Sequence, residues 1–203
     1  ASSGIEINTR KLFQAAANAN KPRIIVINKM DADNIDIPEL LKNIKATFGN
    51  QCRCANLPNA DGSAVIDCIV NDKGDSPVMD VAKAHLNLVE TVMEADDDLM
   101  EKYLGGEDVS TDEIAAVFVK ALVAGTIVPI VFTDSRKEIG ITELLHMIVK
   151  DAPAPDQAPP AVLIDGENET EIKADANGPL AGLVFKIGFD PKSNMKYLKN
   201  NYS

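Results

Sequence analysis

The stretch Ile24-Ile25-Val26-Ile27-Asn28-Lys29-Met30-Asp31 decides how the rest of the chain is read. Its apolar half reads as a buried strand. The tetrapeptide that follows then stands at the carboxyl end of that strand, where open α/β sheets present their ligand loops. The residue types suit one base. Guanine shows two adjacent donors, the ring N1–H and the exocyclic amine, and a rigid acceptor-only carboxylate takes both. Asp31 supplies it. The Asn28 amide can bridge the base N7 and a neighbouring loop, while the Lys29 stem lies along the purine face with its ammonium in water. Adenine would leave the carboxylate facing an acceptor, a buried mismatch that discriminates by roughly 10⁴-fold.

Asn-Lys-x-Asp is the pattern by which GTPases select guanine. A bare tetrapeptide of this kind is also compatible with an ordinary strand end and polar turn, so the surrounding sequence carries weight. No GxxxxGK[ST] occurs in the chain, so it has no phosphate-cradling nest and no Ser or Thr presented to Mg²⁺. The DxxG at Asp175-Ala176-Asn177-Gly178 lies far downstream and reads as a turn. The chain is expected to be a piece of a larger protein.

Outward from the tetrapeptide the pattern is α/β. A helix is expected from Ile7 to Asn20 with Leu12, Phe13 and Ala16 on one face, then a strand from Arg23 to Asn28. Asp36-Ile37-Pro38-Glu39 predicts a capping box, followed by a buried stripe of Leu40, Leu41, Ile44 and Phe48 that ends at Gly49. Helix, strand, helix in this order point to a parallel sheet. Strands are expected over Cys52–Leu57 and Val65–Val70, joined by a turn-rich loop. Helices follow over Met79–Ala95 and Asp97–Leu104, with another starting at Ser110, where Glu113 completes a capping box. The α/β pattern resumes with the apolar strand Thr126–Phe132 and a helix turning Ile141, Leu144, Leu145 and Ile148 inward. Pro153 to Pro160 reads as an extended linker, and strands over 161–164, 170–174 and 180–189 begin a β domain. The expected divisions are 1–52, 53–123, 124–152, 153–160 and 161–203.

The charge is concentrated in the middle. Asp61 to Val119 holds fifteen acidic and three basic residues, a net −12 in a chain whose net charge is −11. Such a segment is repelled by phosphate backbones, so a protein partner is expected rather than RNA; a merely solvated helical surface is the alternative. With 203 residues, 45% of them hydrophobic, the chain can bury a core. It has neither eighteen consecutive apolar residues nor a charged-then-apolar leader, so neither a membrane span nor a secretory signal is expected. Cys52, Cys54 and Cys68 are odd in number, which argues against a disulfide framework. C-x-C could place two thiols on one strand face with His85 as a further ligand, but the spacing is not that of a zinc ribbon, and packing is the simpler role. His146 falls in an apolar helix pattern and reads as a structural or surface residue rather than a catalyst.

Several motifs in this order resemble translation elongation factor G. They are Asn28-Lys29-Met30-Asp31, the insert ending Met100-Glu101-Lys102-Tyr103-Leu104-Gly105-Gly106-Glu107, and Gly125-Thr126-Ile127-Val128-Pro129. Further on stand Glu138-Ile139-Gly140-Ile141, Asp151-Ala152-Pro153-Ala154-Pro155 and Asn177-Gly178-Pro179-Leu180-Ala181. The resemblance implies an α/β fold: part of a P-loop GTPase-type parallel sheet with an α+β insert, followed by the beginning of a β-barrel domain. It implies GTP or GDP, held here at its guanine end by Asn28, Lys29, Asp31, Asp134, Ser135 and Arg136, and Mg²⁺ in the complete protein, whose catalytic and metal-binding residues would lie upstream. The implied setting is cytoplasmic and ribosomal, with the large-subunit stalk protein as partner of the insert.

The family loop after the last strand usually reads Ser-Ala, the alanine N–H donating to guanine O6. Here those positions are Asp134 and Ser135. Ser135 keeps the N–H, while Asp134 brings a second carboxylate near Asp31. The wording from Arg136 to Ile141 looks closest to a divergent second form of the factor. The tail Lys199-Asn200-Asn201-Tyr202-Ser203 departs from the expected barrel strand. Two other readings are a ribosomal-protection GTPase of the tetracycline-resistance type, and a non-enzymatic protein-binding module whose nucleotide site has decayed.

Overall fold

The computed structural model describes residues 3–32, 35–154, 160–175, 177–178, 182–190 and 195–202, the last two ranges by their backbone. The expected linker and the Pro179–Ala181 motif fall largely outside them. The chain divides into two units, residues 1–152 and 153–203.

The first unit is built on three parallel strands in the order β1 (Ile25–Asn28), β5 (Val128–Thr133), β2 (Cys52–Cys54). Helix α2 (Ile37–Phe48) carries the chain from β1 to β2, and β5 enters later between them. The start of α2 is set locally: the Asp36 carboxylate accepts from the Glu39 N–H at 2.9 Å, one half of the expected box, and a proline lies in the first turn. Leu41, Ile44 and Phe48 are buried, and Leu40 only partly.

Side chains alternate across β5, all six residues of which are buried. Val128, Ile130 and Phe132 join Ile27, the α2 stripe and the three cysteines on one face. Val131 faces a second cluster built from α3 (Val81–Met93), α4 (Asp97–Leu104) and α5 (Thr111–Ala124), together with Met147 of α6 (Ile141–Asp151). The helices of the acidic segment thus share their core with the sheet. The full capping box forms at Ser110 and Glu113.

Local differences from the sequence reading have physical causes. The expected strand Cys52–Leu57 breaks at Ala55, because the chain leaves the sheet there and enters an antiparallel pair, β3 (Asn56–Pro58) with β4 (Val65–Asp67). Helix α1 (Ile7–Asn18) buries no residue, and Leu12 is exposed rather than inward; the helix docks through Phe13, whose ring stacks on Phe48 at 4.1 Å. In α6, Leu145 and Ile148 point to solvent, and Met147 supplies the buried contact. Each expected stripe is thus partly met: Phe13 and Leu144 pack against the core, whereas Leu12, Leu145 and Ile148 face solvent.

The second unit contains a hairpin of β6 (Ala161–Asp165) with β7 (Asn168–Ile172), and an antiparallel pair of β8 (Gly182–Asp190) with β9 (Met195–Tyr202). The tail that departs from the expected barrel sequence is strand through Tyr202. Asp175 to Gly178 closes a turn by a Gly178 N–H to Asp175 carbonyl bond. Among the described residues no helix is long and apolar enough to cross a membrane.

Candidate functional site

Strands β1 and β5 run side by side in parallel, and their last residues, Asn28 and Thr133, are register partners. Lys29–Ala32 and Ser135–Glu138 follow them outside the sheet, so two segments more than a hundred residues apart in sequence emerge together at the carboxyl ends of neighbouring strands. Asn28 fastens them. Its Oδ1 accepts from the Lys29 N–H at 2.8 Å, the Ser135 N–H at 3.1 Å and the Thr133 hydroxyl at 3.3 Å, and its Nδ2 donates to Ser135 Oγ at 3.1 Å. The Met30 N–H adds a bond to the Thr133 carbonyl at 3.3 Å. Lys29 takes a left-handed conformation, φ +61°, which a side-chain-bearing residue adopts only when its surroundings enforce it. It is exposed, as a stem laid along a purine would need to be.

The second loop is organised by Asp134, which is 1% exposed. Its Oδ1 accepts from the N–H groups of Arg136 at 3.0 Å and Lys137 at 3.3 Å, and its backbone exchanges two hydrogen bonds with Ile139. Its Oδ1 is directed into the loop, where a serine hydroxyl could cap the same N–H groups, while the side chain also comes within reach of Asp31. Arg136 and Ser135 are exposed. Gly140 closes the loop at φ +71°, and a Cβ there would run into the Phe132 carbonyl oxygen.

The residue that sequence reasoning missed is Lys137. Its ammonium lies 3.1 Å from Asp31 Oδ2 and 3.8 Å from Asp134 Oδ2. That hydrogen bond from Lys137, opposed by partial burial, holds the Asp31 carboxyl below the usual carboxylate range, so Asp31 is anionic and acceptor-only at neutral pH. No signal short of the fold distinguishes Lys137 from an ordinary surface lysine. Asn56 was missed too. It is buried, with Oδ1 accepting from the Phe132 N–H at 2.6 Å and Nδ2 donating to the Phe132 carbonyl at 3.2 Å, and so pairs with the end of β5 beyond the point where β2 stops.

The cysteines and His85 lie elsewhere. Burial raises the thiol of Cys52 to about 11 and those of Cys54 and Cys68 to about 12, and His85 Nδ1 bonds the Cys68 carbonyl at 2.9 Å. Among the described residues no three His, Cys, Asp or Glu side chains converge as a metal site. A groove of about 420 Å³ between α5, α6 and the β3–β4 pair, lined by Asp67, Phe118, His146 and Asp151 among others, is built from elements other than the two loops.

Two parallel strand ends that present a clasped Asn-Lys-x-Asp loop are what a guanine-selecting site requires. The family model described as the elongation factor Tu GTP-binding domain matches residues 1–154. The chain belongs to this family. A solved structure of a protein from Thermus thermophilus aligns over 100% of this chain with a TM-score of 0.75 and 24% identity, a likeness of fold. The chain spans 30% of that protein's length. Membership of a GTP-binding family makes guanine nucleotide the ligand class, and the observed parallel sheet is part of a P-loop GTPase-type fold.

Proposed function

We propose that the chain provides guanine recognition and a partner-binding insert to a ribosome-dependent translational GTPase resembling elongation factor G, the base being read by Asn28, Lys29, Asp31 and the 134–136 loop. The observation that carries this reading is the clasp of Asn28 across the ends of β1 and β5, with an ionised Asp31 beside it, in a chain of a GTP-binding family. In it Asp31 accepts both donors of the guanine edge and Lys29 covers the base. The Ser135 N–H, which donates to Asn28 Oδ1 here, is shared with the base carbonyl on binding. Mg²⁺ belongs to the phosphate end in the complete protein, and the setting is cytoplasmic.

Amide NMR shifts of the chain, titrated with GDP and ADP, test the base assignment. GDP should move residues 28–31 and 134–137 with a Kd no tighter than about 1 mM, since no phosphate-binding P-loop is present in the sequence. Equal shifts with ADP would contradict it.

For the insert, the proposal is docking to the large-subunit stalk protein with little direct RNA contact. Its support is the net −12 from Asp61 to Val119, where Lys102 is already paired with Glu113 at 2.8 Å. Because these helices share their core with the sheet, the whole chain is the right reagent. Stalk-domain binding at low and physiological salt is expected, and stronger binding to ribosomal RNA would reverse the assignment. A non-enzymatic module with a decayed nucleotide site is the other reading, and the feature that favours it is Asp134, whose side chain lies beside Asp31 although its Oδ1 caps the loop. A ribosomal-protection factor would share every feature described.

A further inference from the structure

Asp134 Oδ2 is fully buried and has no hydrogen-bond partner among the described residues. A carboxylate oxygen in that position is costly unless something compensates it. The nearest cation is the Lys137 ammonium at 3.8 Å, too far for a charge-assisted bond, which closes to about 2.7–2.9 Å. The ammonium stands off because it is bonded at 3.1 Å to Asp31, the group assigned to the base. Lys137 itself is 55% exposed and so free to shift by the roughly 1 Å that separates the two arrangements.

We propose that Lys137 is a mobile counter-ion of the base-reading carboxylate, holding Asp31 while the site is empty and passing to Asp134 Oδ2 when a purine with two adjacent donors takes Asp31. The proposal rests on the reading of Asp31 as the base acceptor. It gives Asp134 a function: a buried landing site that offsets the loss of the Asp31–Lys137 pair. In the empty site the lysine masks Asp31, whose side chain lies beside that of Asp134. In the occupied site it neutralises the buried one, and the base edge keeps Asp31 without a competing ammonium. A ligand that offers an acceptor to Asp31 cannot displace the lysine, so the exchange adds to discrimination between bases.

The test is a double-mutant cycle of Asp134→Asn and Lys137→Met on the full chain, titrated with guanosine and xanthosine and followed by amide NMR. Asparagine retains the Oδ1 that accepts from Arg136 and Lys137 N–H, so the loop stays capped. Asp134→Asn should weaken guanosine binding by up to about fivefold when Lys137 is present, the size of a half-exposed ion pair, and leave it unchanged in Lys137→Met. An equal effect in both backgrounds, or tighter binding in Asp134→Asn, overturns the proposal. Asp31→Asn should exchange the guanosine preference for xanthosine; failure there, or a wild type that does not prefer guanosine to xanthosine, removes the base reading and the proposal with it. A crystal structure of ligand-free Asp31→Ala tests the exchange alone. Lys137 Nζ should stand within bonding distance of Asp134 Oδ2, and an ammonium left in solvent refutes the transfer.

Discussion

Replacing Asn56 by leucine should destabilise the first unit far more than a change of one polar residue usually does. The side chain is 3% exposed and makes both hydrogen bonds of a strand partner, 2.6 Å from the Phe132 N–H and 3.2 Å to the Phe132 carbonyl. Strand β2 pairs only as far as Ile130, so beyond it the edge of β5 depends on this amide. Leucine of similar size fills the space but leaves a buried N–H and a buried C=O unpaired, each costing about 1–3 kcal/mol, for a total of about 2–6 kcal/mol. Urea unfolding followed by far-UV circular dichroism should show a lower midpoint at unchanged slope. The Asn28 and Ser135 amide signals should shift as well, because Thr133 follows directly on Phe132. A loss below about 0.5 kcal/mol would mean that water replaces the amide, and would refute the claim that Asn56 completes the strand.

Gly140→Ala should cost more than about 2 kcal/mol, combining a left-handed residue with a contact against the Phe132 carbonyl, and thermal unfolding would reveal it. The three buried thiols, raised to about 11 or 12, should resist a thiol-reactive dye at pH 8 in the native chain and react fully in urea; a fast native reaction would contradict their burial. The Lys102 ammonium, then the Ser110 N–H and hydroxyl, hold the Glu113 carboxyl at about 2, below its usual value of 4.5. Its folded value being depressed, the stability it contributes is present above pH 4.5 and fades as pH falls toward 2. The stability difference between wild type and Glu113→Gln should therefore shrink across that window, and a constant difference would show that the pairing is absent in solution.

What the sequence disclosed was local chemistry. Asp36 and Ser110 announce helix starts because a short polar side chain caps nearby N–H groups whatever surrounds it, and Ile24 to Asn28 announces a strand end by its run of apolar residues followed by polar ones. That Asn28 would bridge to a neighbouring loop was legible because strand ends gather ligand loops, but only the fold shows that loop to be Thr133–Ser135. Less visible was anything decided by which residue lies opposite. Lys137 reads as a solvated lysine until the fold sets it against Asp31, and Asn56 reads as one more strand residue until β2 proves to be short. Asp134 does bring a second carboxylate beside Asp31, as its position in the loop leads one to expect; what sequence does not reveal is that its Oδ1 caps its own loop and that Lys137 reaches both carboxylates. The exposed Leu145 and Ile148 show the same limit, since periodicity finds an apolar stripe without saying what covers it.

The most direct test of the account is the base preference of Asp31→Asn, measured by titrating wild type and variant with guanosine and xanthosine nucleotides. The asparagine amide donates where xanthine offers an oxygen in place of guanine's amine, and its carbonyl still accepts from N1–H. The account predicts that the wild type prefers guanine and the variant xanthine. An unchanged guanine preference in Asp31→Asn would contradict it.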